Sequence, residues 1–252
     1  MANWNDPQPG RTGFGASPNV GSALGGAARG VRAGYDAGLR SHMLSIYNYM
    51  ASGVLLSGVV ALLFARSGLA LAVMTTPLKW LIMLAPLGFV MAMSMGAMRM
   101  RTTTLQALFW GFCVVMGLSL STIFLVFTGA SIATTFFATA GAFAGLSLVG
   151  YTTKKDLSGM GSFMVMGLIG ILIAMVVNLF VQSSGLQMAI SILGVLIFAG
   201  LTAWDTQRLK QEYVMLAGTE FAGKAVVLGA LTLYLDFINM FQFLLSFLGN
   251  RD

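Results

Sequence analysis

Two aspartates stand in apolar surroundings where carboxylates are rarely found. Asp236 lies near the middle of the apolar run 225–248, in Leu231-Thr-Leu-Tyr-Leu-Asp-Phe-Ile-Asn239, and Asp205 lies in Ala203-Trp-Asp-Thr-Gln207. An unpaired carboxylate in hydrocarbon costs about 2.5–3.5 kcal/mol on insertion scales, so Asp236 needs a partner and a task. Asp205 is the other acid close to the interior of an apolar segment, and the two are read as one site. Two carboxylates in a low-dielectric cavity cannot both ionise cheaply without a cation between them, so they should titrate as a unit. Such a pair responds to protons without a histidine. It also suits calcium, a hard cation that takes oxygen ligands but normally wants roughly six to eight of them. Asp205 and Asp236 with carbonyls and water would make a weak, transient calcium site, which favours passage over storage. Asn239, one helical turn beyond Asp236, shares its face and is a candidate pore or support residue.

The elements that must hold this pair are legible in the composition. Of 252 residues, 57% are hydrophobic and 9% are charged. Soluble domains carry about 25% charged residues, so this chain is not built to face water all round. Several apolar runs exceed the ~18 residues that cross a bilayer. They are continuous rather than alternating, which excludes a transmembrane barrel. The reading is an all-α polytopic membrane protein. The net charge of +6 does not point to nucleic acid, because the basic residues fall singly or in pairs at the ends of apolar runs.

Seven segments are expected, over residues 46–65, 80–98, 105–127, 132–151, 163–181, 186–204 and 225–248. Pro86 should kink the second. The sixth is expected to run on as an amphipathic extension to Gln207. A polar link holding Arg208, Lys210, Glu212, Glu220 and Lys224 then leads to the seventh. Residues 1–40, rich in Gly, Ala, Ser and Pro, read as a mostly disordered tail ahead of a membrane domain over 41–252. No apolar core precedes Met43, so the first segment is expected to direct insertion itself. With the N-terminus inside, only Arg66, Lys79 and Arg251 of the 14 basic residues fall outside. That asymmetry predicts a cytoplasmic N-terminus and an external C-terminus. Asp205 then sits at the inner end of the sixth segment. Asp236 is reached about eleven residues into the seventh, roughly 16 Å down from the same side.

Other polar residues carry less. Asn178 reads as helix-to-helix glue or a pore-lining group. His42 reads as interfacial, Lys154-Lys155-Asp156 as a solvated turn, and Arg208 as an ordinary interfacial partner for Asp205. Small residues at Gly141-Ala-Phe-Ala-Gly145, Gly167 to Gly170 and Gly53 to Gly58 are expected to let helices approach closely. Cys113, the single cysteine, reads as a small buried hydrophobe, and the 18 methionines as core filler.

Gly200-Leu-Thr-Ala-Trp-Asp-Thr-Gln207 and Leu231-Thr-Leu-Tyr-Leu-Asp-Phe-Ile-Asn239 resemble the last two signatures of the Bax-inhibitor-motif family of membrane proteins. Leu39-Arg-Ser-His-Met-Leu-Ser-Ile-Tyr-Asn-Tyr-Met50 resembles the entry to its first helix. Tyr151-Thr-Thr-Lys-Lys-Asp-Leu-Ser-Gly-Met-Gly161 resembles its fourth inter-helix loop. The likeness covers residues 39–252 and has the flavour of bacterial members, which sit in the cytoplasmic membrane. The resemblance implies seven helices with the last enclosed by the other six, and a pH-sensitive calcium leak sensed by Asp205 and Asp236. It also implies an arginine near the inner end of the second helix that latches the pair, for which Arg99 and Arg101 are the candidates.

The function so expected is a proton-responsive cation leak with no cofactor, calcium being the permeant ion and the lipid bilayer the surrounding partner. The alternative is a non-conducting membrane modulator of a quality-control protease or stress pathway, with that protease or pathway component as its partner. An enzyme is not expected. Intramembrane aspartyl proteases also place aspartates on two successive helices, but Tyr234-Leu-Asp-Phe237 lacks their flanking glycines and no Pro-Ala-Leu follows Pro86. A secondary transporter lacks an evident coupling site.

Overall fold

The computed structural model describes residues 20–250, with side chains from Asp36 onward. The chain divides between Ser41 and His42 into an N-terminal unit, helical from Val20, and a second unit, His42–Asp252, that holds the membrane bundle. The tail reading for residues 1–19 lies outside the described residues. Nine helices are found among the described ones: α1 (Val20–Arg66), α2 (Leu69–Met74), α3 (Leu78–Gly96), α4 (Thr102–Leu120), α5 (Ile123–Val126), α6 (Gly129–Thr152), α7 (Ser158–Val181), α8 (Ser184–Leu216) and α9 (Ala222–Leu248). Seven spans are long and apolar enough to cross a bilayer, α4 and α5 together supplying the third. The protein is an all-α, multi-pass membrane protein.

The spans depart from the sequence expectation most clearly at the third and the sixth. The third breaks at Ser121–Thr122, where Ser121 Oγ donates to Leu118 O at 2.6 Å and Thr122 Oγ1 donates to Ser119 O at 3.2 Å. Hydroxyls that take up backbone carbonyls compete with the helix ladder. Pro86 lies inside α3, which continues through it. The largest difference is at α8, which runs to Leu216 and carries Arg208, Lys210 and Glu212 on the helix itself, so that the link is only residues 217–221. Gly218 in that link has φ +79°, a conformation glycine enters at no steric cost.

Helix α9 is the most buried of the spans and α7 the least. Helices α4, α6 and α8 pack against α9. Helix α1 joins them through Ser57, whose Oγ lies 2.6 Å from the Tyr234 hydroxyl and 2.7 Å from Cys113 O. The serine proton goes to a carbonyl, so the tyrosine donates to serine and the chain of bonds ties α9 to α1 and α4. All three residues are fully buried. Tyr234→Phe removes one bond and strands nothing, so it should cost about 1 kcal/mol; Ser57→Ala strands the phenol and should cost roughly 1–3 kcal/mol. Denaturant titration in detergent measures both.

The small-residue patterns divide between helix contact and open surface. A Cβ on Gly141, Gly145, Gly170 or Gly58 would meet nothing, whereas Gly53 faces Cys113 and Phe109, and Gly167 faces Ile197. The glycine of α6 that seats a neighbour is Gly150, where a Cβ would run into the carbonyl of Ala203 on α8. Gly150→Ala should therefore cost about 1–3 kcal/mol through overpacking. Gly141→Ala should be neutral or slightly stabilising, and thermal unfolding of the two variants separates them.

Candidate functional site

Helices α8 and α9 form an antiparallel pair, and its register brings the two acids together. Asp205 lies eleven residues before the end of α8 at Leu216, and Asp236 fourteen residues after the start of α9 at Ala222. At 1.5 Å per residue these are depths of ~17 and ~21 Å from the same link, less than one turn apart. The extension of α8 to Leu216 creates that match. Small residues on the two helices permit the close approach: Gly194 of α8 seats Phe243 on one side of the pair, and Gly229 of α9 seats Leu209 on the other.

The Asp205 and Asp236 carboxyls lie close enough to interact directly, and each residue is 4% exposed. Asp236 Oδ2 is buried with no hydrogen-bond partner among the described residues. The cation at the pair is Arg208, one turn beyond Asp205 on the same helix, with Nη2 2.8 Å from Asp205 Oδ1. The contact is an ion pair at short range, without the alignment of a hydrogen bond. Arg208 Nε also faces Glu212 Oε1 at 3.4 Å, and the guanidinium carbon sits 5.0 Å from the Trp204 ring centroid. No cluster of three or more His, Cys, Asp or Glu side chains occurs among the described residues. Any metal here would rely on the two carboxylates with carbonyls or water.

The remaining candidates fall elsewhere. Arg99 and Arg101 are exposed at the α3–α4 turn and pair with neither aspartate; the arginine beside the pair is Arg208, on the sixth span. Arg208, expected as an interfacial partner for Asp205, is that partner, at i, i+3 on the continued α8. Asn239 donates back to Leu235 O at 2.8 Å within α9. Asn178 serves the α7–α8 turn, donating to Gln187 Oε1 at 3.1 Å and accepting from Ser183 N at 3.0 Å. His42 is buried against the Tyr213 ring, with centroids 5.1 Å apart.

A strap beside the pair was not expected. Gln207, two residues past Asp205, donates to Lys155 O at 2.8 Å and accepts from Leu157 N at 2.9 Å. It thereby fastens the α6–α7 loop to α8. Lys210 adds a bond from Nζ to Tyr151 O at 2.8 Å. In the loop, the Ser158 hydroxyl and then its amide donate to Asp156, holding that carboxyl below the usual carboxylate range. A depressed carboxylate contributes stability above its ordinary pKa and loses it as pH falls.

The fold and this site define a class: a seven-span membrane protein with paired aspartates buried between its last two helices. The chain belongs to the family described as inhibitor of apoptosis-promoting Bax1, whose model matches residues 39–252. It is 47% identical over 218 residues to an uncharacterized protein of Rickettsia prowazekii, covering 86% of this chain and 92% of that one. It is 44% identical over 219 residues to the inner membrane protein YbhL of Escherichia coli, covering 85% and 94%. An uncharacterized membrane protein of Streptococcus pyogenes is 33% identical over 220 residues, covering 86% and 96%.

Proposed function

We propose that the protein is a proton-responsive cation leak, with Asp205 and Asp236 as sensor and calcium as a permeant ion. The observation that carries the reading is the direct, buried contact between the two carboxyls with one fixed guanidinium beside them. Two carboxyls this close hold one proton between them. Losing that proton leaves two adjacent carboxylates against a single Arg208, and a hard cation then takes the proton's place. Protons and cations therefore compete for the pair, and cation binding releases protons. Two carboxylates do not complete a calcium shell, so the ion is held weakly and passes on. Arg208 also speaks against a hydrolytic reading, because a protease dyad presents its carboxyls to water and substrate rather than to a guanidinium.

The likeness to YbhL supports placement in a bacterial inner membrane. The α3–α4 turn, the α6–α7 loop and the start of α9 carry Arg99, Arg101, Lys154, Lys155 and Lys224. We place these on the cytoplasmic side, with the C-terminus outside. The test is purified protein in vesicles loaded with a calcium-sensitive dye, under a calcium gradient and across a pH series. Flux above empty vesicles that changes with pH supports the leak. Flux equal to that of empty vesicles at every pH would overturn it and leave the modulator of a protease or stress pathway as the reading.

A further inference from the structure

Arg208 is held by more than its acid partners. The indole of Trp204 lies against the guanidinium and also against α7, where it covers Gly161. Gly161 is buried, and a Cβ there would run into the Cγ, Cδ2 and Cε2 atoms of the indole. The same helix pair continues with Gly167 against Ile197 and Gly200 against Met164. We propose that Trp204, seated on Gly161, is a positioning residue that holds Arg208 over Asp205, so that the seating of α7 on α8 sets how firmly the acid is paired.

The geometry suits an arginine and no other cation. A guanidinium offers a flat face to an aromatic ring while its edge meets carboxylates, whereas an ammonium is a point charge. In Arg208 the guanidinium carbon lies over the Trp204 ring, Nη2 meets Asp205 and Nε lies 3.4 Å from Glu212 Oε1. The charged groups acting on Asp205 are Arg208 and Glu212 from its own helix and Asp236 from α9. Against its neighbours Trp204 and Ala203 stand Gly161 of α7 and Gly150 of α6, neither of which carries a charge. Glu212 is half-exposed and gives the guanidinium a second acceptor when Asp205 is protonated or takes a cation. Helix α7 buries only Gly161 and Ile171, and α8 is the helix it packs along.

The test has two arms, because the flux arm rests on the leak reading and the other does not. In vesicles, Gly161→Ala and Trp204→Leu should each move the calcium concentration for half-maximal flux in the same direction as Arg208→Gln. The shift should be roughly two- to fivefold, the worth of an exposed cation–π contact. Neither should add to Arg208→Gln when combined with it. Shifts at Arg208 with none at Gly161 or Trp204 would overturn the proposal. In the second arm Trp4, Trp80 and Trp110 are replaced by Phe, leaving Trp204 as the emitter. Its emission should change with pH, and Asp205→Asn or Arg208→Gln should abolish that change. A transition that survives Arg208→Gln overturns the proposal, whatever the flux. A transition lost in that variant, in a protein that carries no flux, supports the positioning role and defeats only the leak. Should Gly161→Ala fail to fold, Arg208→Lys decides: it keeps the charge and loses the flat face, so a wild-type profile there contradicts the proposal.

Discussion

Asp236→Asn should flatten the pH dependence of cation flux, reducing the change between acidic and alkaline vesicles by about tenfold or more, the size of a lost ionisable partner. Asparagine has the shape of aspartate and can still hydrogen-bond to Asp205, so the α8–α9 contact should persist. What it removes is the proton and the charge. Asp236 is 4% exposed and in contact with Asp205, so Asp205→Asn should produce the same flattening. The double variant should be no worse than either single one, because residues that act as a unit are strongly non-additive. Flux in proteoliposomes across a pH series measures all three. Additive losses would mean that two independent sites had been removed.

Arg208→Gln should strengthen cation binding at the pair. In the native protein the guanidinium stands 2.8 Å from Asp205 and occupies the electrostatic position a permeant cation needs. Removing it leaves two carboxyls with no fixed positive charge, and a divalent ion no longer has to displace one. The Arg208 side chain is 38% exposed, so solvent screens the pair and limits the effect. The gain in apparent calcium affinity should be about three- to tenfold. Equilibrium binding of radioactive calcium reads it directly. Arg99→Gln and Arg101→Gln are the controls; both side chains are exposed at the α3–α4 turn, and both variants should bind as the native protein does.

The number of spans and the need of Asp236 for a partner could be read from the chain, since both follow from the cost of placing polar groups in hydrocarbon. The geometry of the site could not be read in the same way. Residues 208–216 are polar enough to resemble a link, yet polarity is equally compatible with a helix that leaves the membrane and continues. That ambiguity left Arg208 as an interfacial partner of Asp205, whereas α8 keeps its turn through Leu216 and sets the two at i, i+3 on one helix. Gly150 and Gly145 are one residue type on one helix, but one presses on the Ala203 carbonyl and the other faces open space. Spacing alone does not separate a helix-facing stripe from a lipid-facing one. Nor does anything near Tyr234 announce Ser57, 177 residues away in the chain, whose hydroxyl meets the phenol in the bundle. The family likeness pointed to the two helices whose acids meet in the fold. It looked for the arginine on the second span, and the local register of α8 put one on the sixth.

The claim that Asp205 and Asp236 form one unit for which protons and cations compete is tested most directly by proton release. Calcium is added to purified protein in lightly buffered detergent solution, and the protons set free are followed with a pH indicator. The native protein should release protons as calcium binds, and Asp205→Asn and Asp236→Asn should each abolish that release. Calcium binding without proton release, or release that persists unchanged in either variant, would contradict the account.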